Sequence, residues 1–214
     1  MFYVLLGLTL VLAAVNWWAA HTGHKPIEYF FKPATMVALG AAALSIADPV
    51  PGASNGHTIR MVMVLGLLLS MIGDICLMLG SRWFLQGLVA FLLAHIAYIV
   101  GLALVGVLVV GLVLGIIVVG VSITLIAPRI VAGARLEDPR MGVAVSVYMT
   151  VIAFMVIVAF GTGSPWAAGG ALLFFASDGC IGWDKFVKPL PLRHLLVMVT
   201  YHLGQIGLVL SLMA

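Results

Sequence analysis

Charge is scarce in this chain: 8% of its 214 residues are Asp, Glu, Lys or Arg, against 64% that are hydrophobic. So little polar surface cannot coat a water-soluble globule, which excludes that class and leaves an integral membrane protein. Cysteine is nearly absent. Cys76 and Cys180 both fall inside apolar runs, so there is no disulfide framework and no C-x-x-C pair, and both read as small packing residues. The sequence also lacks a G-x-S-x-G elbow and an H-E-x-x-H motif, which argues against a standard serine hydrolase or zincin. No Gly-Lys-Ser/Thr follows the glycine-rich stretch Gly101 to Gly120, so those glycines suit close helix packing rather than a phosphate loop. The net charge of +3 comes from basic residues scattered between apolar spans, so nucleic acid is not an expected partner.

Long apolar runs are what the sequence has in plenty. At about 20 residues per crossing they fill the chain with eight transmembrane helices and leave no soluble domain. The expected spans are Phe2 to Ala20, Ala34 to Ala47, Ile59 to Leu79, Trp83 to Leu104, Gly106 to Ala127, Met141 to Phe160, Trp166 to Trp183 and Arg193 to Met213. The first is read as a retained helix, since no Lys or Arg precedes it as in a signal peptide. Trp83 to Ala127 is 45 residues, too long for one crossing, and the turn is expected near Val105 and Gly106. Lys32-Pro33 reads as a helix start, with Pro in the first turn and Lys at headgroup level. With the N-terminus outside, one side of the membrane collects Lys25, Lys32, Arg82, Arg129, Arg135, Arg140, Lys185, Lys188 and Arg193, and only Arg60 lies on the other. That asymmetry places both termini outside, in what reads as a bacterial cytoplasmic membrane.

Two aspartates interrupt this pattern. Asp74 sits in Gly73-Asp74-Ile75-Cys76-Leu77, and Asp178, 104 positions later, sits in Ser177-Asp178-Gly179-Cys180-Ile181. A carboxyl inside hydrocarbon is expensive and generally marks a functional cavity. The matched signatures on the third and seventh helices predict a single transmembrane domain of two parallel four-helix halves, 1–104 and 105–214. Helical spacing puts Ser70 with Asp74, His95 with Tyr98, Tyr201 with Gln205 beside His202, and Asp178 with Lys185 on shared stripes. At about 1.5 Å per residue from the nearest loop charge, Asp74 lies roughly 12 Å deep, Asp178 roughly 9 Å, His202 roughly 14 Å and His95 roughly 20 Å. All four are expected around one cavity open toward the cytoplasmic leaflet. The cysteines, two residues from their aspartates, are expected to point to the opposite helix faces.

Read in order, Lys32-Pro33, Gly73-Asp74 with Leu77-Met78, Phe84, Gly87, Phe91, His95, Tyr98, Ser177-Asp178, Lys185-Phe186, Tyr201 and Gln205 resemble the YhhN family of membrane proteins. Between Gly106 and Gly163 only hydrophobicity aligns. The resemblance implies hydrolysis of the vinyl ether bond of a lysoplasmalogen, or of a related ether lysolipid, to a fatty aldehyde and a glycerophospho-headgroup. It implies lysophospholipid and membrane lipids as partners and calls for no metal or cofactor. On it, Asp74 and Asp178 are the catalytic candidates: a carboxyl kept protonated by burial protonates the vinyl carbon, and the other steadies the cation and activates water. His95, Tyr98, Tyr201, His202, Gln205 and Ser70 would orient water or tune the pair, and Lys32 and Lys185 would hold the phosphate. Two other classes fit the same residues: a proton-coupled transporter of a small solute or lipid, and a zinc-dependent lipid hydrolase with His95, His202 and the aspartates as ligands.

Overall fold

The computed structural model describes residues 1–214 as eight α-helices: α1 (Phe2–Thr22), α2 (Lys25–Leu44), α3 (Gly56–Met78), α4 (Phe84–Val105), α5 (Val109–Glu137), α6 (Pro139–Gly161), α7 (Pro165–Phe186) and α8 (Arg193–Leu210). Single 3₁₀ turns at Ser81–Trp83 and Ser211–Met213 flank α4 and α8, and there are no strands. Six helices (α1, α3, α4, α5, α6 and α8) are long and apolar enough to cross a membrane. The other two, α2 and α7, each carry three charged residues, Lys25, Glu28 and Lys32 in one and Asp178, Asp184 and Lys185 in the other. The protein is an integral membrane protein, and Lys32 of α2 and Asp178 of α7 both border its polar interior.

Most helix ends fall within a turn of those expected, and α4 ends at Val105 with Gly106 at φ 104°, a backbone conformation that glycine adopts without strain. Two expectations fail. Lys32-Pro33 does not start a helix: α2 begins at Lys25 with Pro26 already in its first turn, and Pro33 lies inside it. Pro33 removes one backbone hydrogen bond, a loss that helices in membranes tolerate where neighbours pack around them. Lys32 is consequently carried into the core, 5% exposed. Likewise α5 does not stop at Ala127 but continues through Pro128 to Glu137. Its 29 residues span about 44 Å, longer than the hydrocarbon layer, so its charged end projects past the lipid core.

Consecutive helices pack as antiparallel hairpins, α1 with α2, α3 with α4, α5 with α6 and α7 with α8, and the first four helices meet the last four chiefly through α4–α6 and α1–α8. The α7–α8 crossing is backbone against backbone. A Cβ on Gly170 would lie 2.7 Å from Leu208 N, and one on Gly207 would lie 2.7 Å from Gly170 Cα. Close contact through small residues is the main source of attraction between helices in lipid, where burial of apolar surface contributes little. It also fixes the rotation of α8, which turns Tyr201, His202 and Gln205 inward to full burial.

Candidate active site

Each aspartate is gripped from two helices. Lys32 of α2 places its Nζ 2.9 Å from Asp74 Oδ1, and Tyr201 of α8 donates its hydroxyl to Asp74 Oδ2 at 2.6 Å. Both oxygens of Asp74 are thus occupied, and its side chain is 2% exposed. Asp178 of α7 is held at one oxygen only. Its Oδ2 accepts a hydrogen bond from the Tyr148 hydroxyl of α6 and lies 3.2 Å from His95 Nε2 of α4. The same His95 nitrogen is 2.9 Å from Tyr148 Oη, closing a triangle. Asp178 is 9% exposed, and no hydrogen bond reaches its Oδ1.

Phe174 wedges these groups apart and in place. Its ring packs edge-on against His95 at 4.8 Å, Tyr201 at 5.3 Å, Phe91 at 6.1 Å and Tyr98 at 6.3 Å between centroids. Such contacts fix ring orientation as well as filling space.

Two cavities meet at Asp178. A polar one of about 390 Å³ has Asp74, Asp178, Lys32 and Tyr201 in its wall and Lys25, Glu28, Arg193 and His194 toward the basic end of the helices. An apolar one of about 340 Å³ runs between α4, α5, α6 and α7 past Leu88, Ile130, Tyr148, Met149, Ile152 and Phe175. Leu77, Phe91, Asp178 and Ile181 border both. One cavity therefore reaches both carboxyls, but His95 and His202, expected around it as well, line neither cavity.

The remaining expected residues divide into those brought near and those kept away. Tyr98 donates to Gln205 Oε1 at 2.6 Å, tying α4 to α8. Ser70, fully buried, lies beside the Tyr98 hydroxyl without a hydrogen bond of standard geometry. His202 is turned to α1, where its Nδ1 accepts from Trp17 Nε1 at 3.0 Å, which assigns its proton to Nε2. The zinc arrangement of His95, His202 and the aspartates does not form, and no three His, Cys, Asp or Glu side chains converge as metal ligands. Lys185 does not share a cavity with Asp178. Its Nζ sits 3.5 Å from Glu137 Oε1 and 4.6 Å from the Phe84 ring centroid, because the end of α7 faces the ends of α4 and α5 there. Lys32 is not at headgroup level, since the buried Asp74 holds it inside. Cys180 does not point away from its aspartate's cavity: the apolar cavity wraps around α7 and touches every residue from Asp178 to Trp183.

Sequence reading missed Tyr148 and Trp17. Tyr148 is the only tyrosine of α6 and lies eight residues from Arg140, the spacing that also separates Asp74 from Arg82. Equal depth was the available signal. Trp17 offered none, because an indole near a membrane boundary is ordinary.

The site falls within the region that comparisons identify. The YhhN family model matches residues 27–212. The chain is similar to human lysoplasmalogenase TMEM86B, 31% identical over 160 residues that make up 74% of this chain and 65% of that protein. It is 32% identical over 179 residues to a lysoplasmalogenase of Mycobacterium tuberculosis, covering 78% of this chain and 62% of the relative. It is 32% identical over 166 residues to bovine lysoplasmalogenase TMEM86A, covering 72% and 66%. The chain thus spans less than two thirds of the length of the curated relatives it matches. No solved structure matches it. Every residue that grips the two aspartates (Lys32, His95, Tyr148 and Tyr201) lies inside the matched region, and the chain belongs to the YhhN family.

Proposed function

We propose that this protein is a lysoplasmalogenase, hydrolysing the vinyl ether bond of a lysoplasmalogen or related ether lysolipid inside the membrane. The observation that carries the reading is the junction at Asp178, where an apolar cavity fit for a single hydrocarbon chain meets a polar cavity that contains the second carboxyl. The names of its relatives support the same activity. The chain occupies the apolar cavity, the vinyl ether lies at the junction, and the headgroup phosphate meets Lys25 and Arg193 in the polar one.

The hydrogen bonds divide the labour between the carboxyls. Asp178, with Oδ1 free, is the acid. Asp74, though the more deeply buried of the two, is the carboxylate: its oxygens accept from Lys32 and Tyr201, and the ammonium group at 2.9 Å favours the anion against the cost of burial. Asp178 gives its proton to the β-carbon of the vinyl ether, the π electrons form the new C–H bond, and positive charge spreads over the α-carbon and ether oxygen. Water adds to the α-carbon and loses a proton to Asp74, giving a hemiacetal. The hemiacetal C–O bond then breaks: Asp74 returns a proton to the departing glycerol oxygen, and Asp178 recovers one from the hemiacetal hydroxyl as the aldehyde forms. Both carboxyls end as they began. His95 orients Asp178; Tyr98, Gln205, Ser70 and His202 support the α4–α8 and α1–α8 contacts that set the geometry.

The fold reading is extended in the same way. All eight helices cross the membrane, α2 and α7 turning Lys32 and Asp178 inward and apolar residues such as Phe30, Val37 and Trp166 outward. The basic residues at the α1–α2, α3–α4, α5–α6 and α7–α8 turns face the cytoplasm, with both termini outside, in a bacterial cytoplasmic membrane. The chain is one domain of two four-helix halves, 1–104 and 105–214, and the matching hairpins and the Asp-bearing α3 and α7 support this.

Aldehyde release from a 1-alkenyl lysophospholipid by the purified protein tests the activity. Asp74→Asn and Asp178→Asn are each expected to lower turnover by about 10²–10⁴-fold, the usual share of a general acid or base. Full turnover in either variant removes that residue from the mechanism.

A further inference from the structure

The two carboxyls are gripped by one topological rule. Asp74 on α3 is met by a residue of the preceding helix, Lys32 of α2, and by one from α8, the last helix of the other half. Asp178 on α7 is met by a residue of its own preceding helix, Tyr148 of α6, and by His95 of α4, again the last helix of the other half. The rule is shared but the charge is not. The preceding helix brings an ammonium group to Asp74 and an uncharged phenol to Asp178.

We propose that Tyr148 is a positioning residue that makes Asp178 the proton donor: its hydroxyl occupies the place that Lys32 holds beside Asp74, pins Oδ2 without bringing a positive charge, and leaves Oδ1 to present the proton at the junction of the cavities. This deepens the hydrolase reading above and rests on it for the identity of the reaction. A cation at hydrogen-bond distance holds a carboxyl as the anion, whereas a neutral hydroxyl serves both forms. The titratable groups in contact with Asp178 are Tyr148 from α6 and His95 from α4, with Cys180 two residues on in its own helix; across the polar cavity lie Asp74 with Lys32 and Tyr201, and toward its mouth Lys25, Glu28, Arg193 and His194. None of the three fixed cations pairs with Asp178: Lys32 is engaged by Asp74 at 2.9 Å, Arg193 by Asp184 at 3.1 Å, and Lys25 makes no ion pair. Tyr148 is itself well fixed. It is 7% exposed, its hydroxyl is 2.9 Å from His95 Nε2, and its ring packs edge-on against the imidazole at 5.3 Å. When the proton leaves Oδ1 for the β-carbon, the negative charge left on Asp178 is shared with Oδ2, where the Tyr148 hydroxyl already donates.

Three proteins test the assignment: the unmutated protein, Tyr148→Phe and Tyr148→Lys. In Tyr148→Phe, which removes one oxygen and keeps the ring, kcat is expected to fall about 10- to 100-fold, the loss that follows from one hydrogen bond to a charged group. KM and thermal stability are expected to stay unchanged, and the solvent deuterium isotope effect on kcat to increase as protonation becomes slower. Tyr148→Lys, which repeats the Lys32 arrangement at Asp178, is expected to abolish turnover while still binding a non-hydrolysable 1-O-alkyl lysophospholipid. Infrared spectroscopy supplies a readout independent of activity. The unmutated protein is expected to show a protonated-carboxyl C=O band that Asp178→Asn removes, Tyr148→Phe shifts and Tyr148→Lys abolishes. An unchanged kcat in Tyr148→Phe, a loss of kcat matched by equal losses of binding and stability, or the absence of that band overturns the proposal. If the unmutated protein releases no aldehyde from any ether lysolipid, the hydrolase reading fails. The infrared band then decides the Tyr148 assignment by itself: a band that Tyr148→Phe shifts upholds it, and no band overturns it.

Discussion

Replacing Lys32 by Met keeps the length of the side chain in α2 and takes away the ammonium group that faces Asp74. At 2.9 Å, two unit charges attract by about 6 kcal/mol at an effective dielectric constant of about 20. Part of that is offset, because the pair gives up hydration on burial and because the abandoned carboxyl can take up a proton. Removing one partner of a buried pair typically leaves a net loss of about 3–5 kcal/mol. Tyr201 still donates to Asp74 in the variant, which places the expected loss near the lower end. Lys32→Met with Asp74→Asn contains neither charge, and such neutral replacements of a buried pair are commonly close to the original in stability. Thermal unfolding of the detergent-solubilised protein, followed by tryptophan fluorescence for the original, both single variants and the double variant, gives the coupling. About 3 kcal/mol is expected, with the double variant more stable than Lys32→Met alone. A coupling below about 0.5 kcal/mol, the level of independent sites, refutes a buried pair at this position.

Other parts of the structure make their own claims. Gly170→Val is expected to prevent folding, since its side chain would enter the α8 backbone at Gly204 and Leu208; recovery of monodisperse, stable protein would show that α7 and α8 are not in backbone contact. Met149→Trp, which fills the apolar cavity, is expected to raise KM for long-chain ether lysolipids more than for short-chain ones, measured by aldehyde release; an equal effect at all lengths would remove the chain from that cavity. Arg193→Gln is expected to raise KM for phosphate-bearing substrates several-fold while Lys185→Gln leaves it unchanged, because only Arg193 borders the polar cavity; the reverse order in the same assay would relocate the headgroup. Tyr98→Phe is expected to cost about 1–3 kcal/mol of stability by leaving the Gln205 carbonyl oxygen unpaired, with turnover retained; a selective loss of kcat would make Tyr98 part of the chemistry.

How far the site could be read in advance differs from residue to residue. Asp74 and Asp178 stood out because hydrocarbon makes any carboxyl costly, and the stripe Tyr201, His202 and Gln205 followed from their spacing on α8. Lys32 was visible but misplaced: beside Pro33 and near other charges it looked like an interfacial residue, and only the start of α2 at Lys25 carries it inward. Lys185 made the opposite error, sharing a stripe with Asp178 yet ending beside Glu137 and Phe84. Tyr148 went unnoticed because it lies where the resemblance aligns only as hydrophobicity, and a tyrosine in an apolar helix has no cost that singles it out.

By itself the sequence determined the solvent, the number of helices, the family and the presence of two buried carboxyls, since each follows from composition, run length and the energetic cost of charge in lipid. The partners of those carboxyls were decided by tertiary structure alone. In a membrane both the lipid-facing and the core-facing sides of a helix are apolar, so the pattern along the chain carries little information about helix rotation. Rotation is set by close contacts such as Gly170 against Gly204 and Gly207. The packing of all the helices together turns Lys32 to Asp74 and Tyr148 to Asp178, and with them comes the difference between the two.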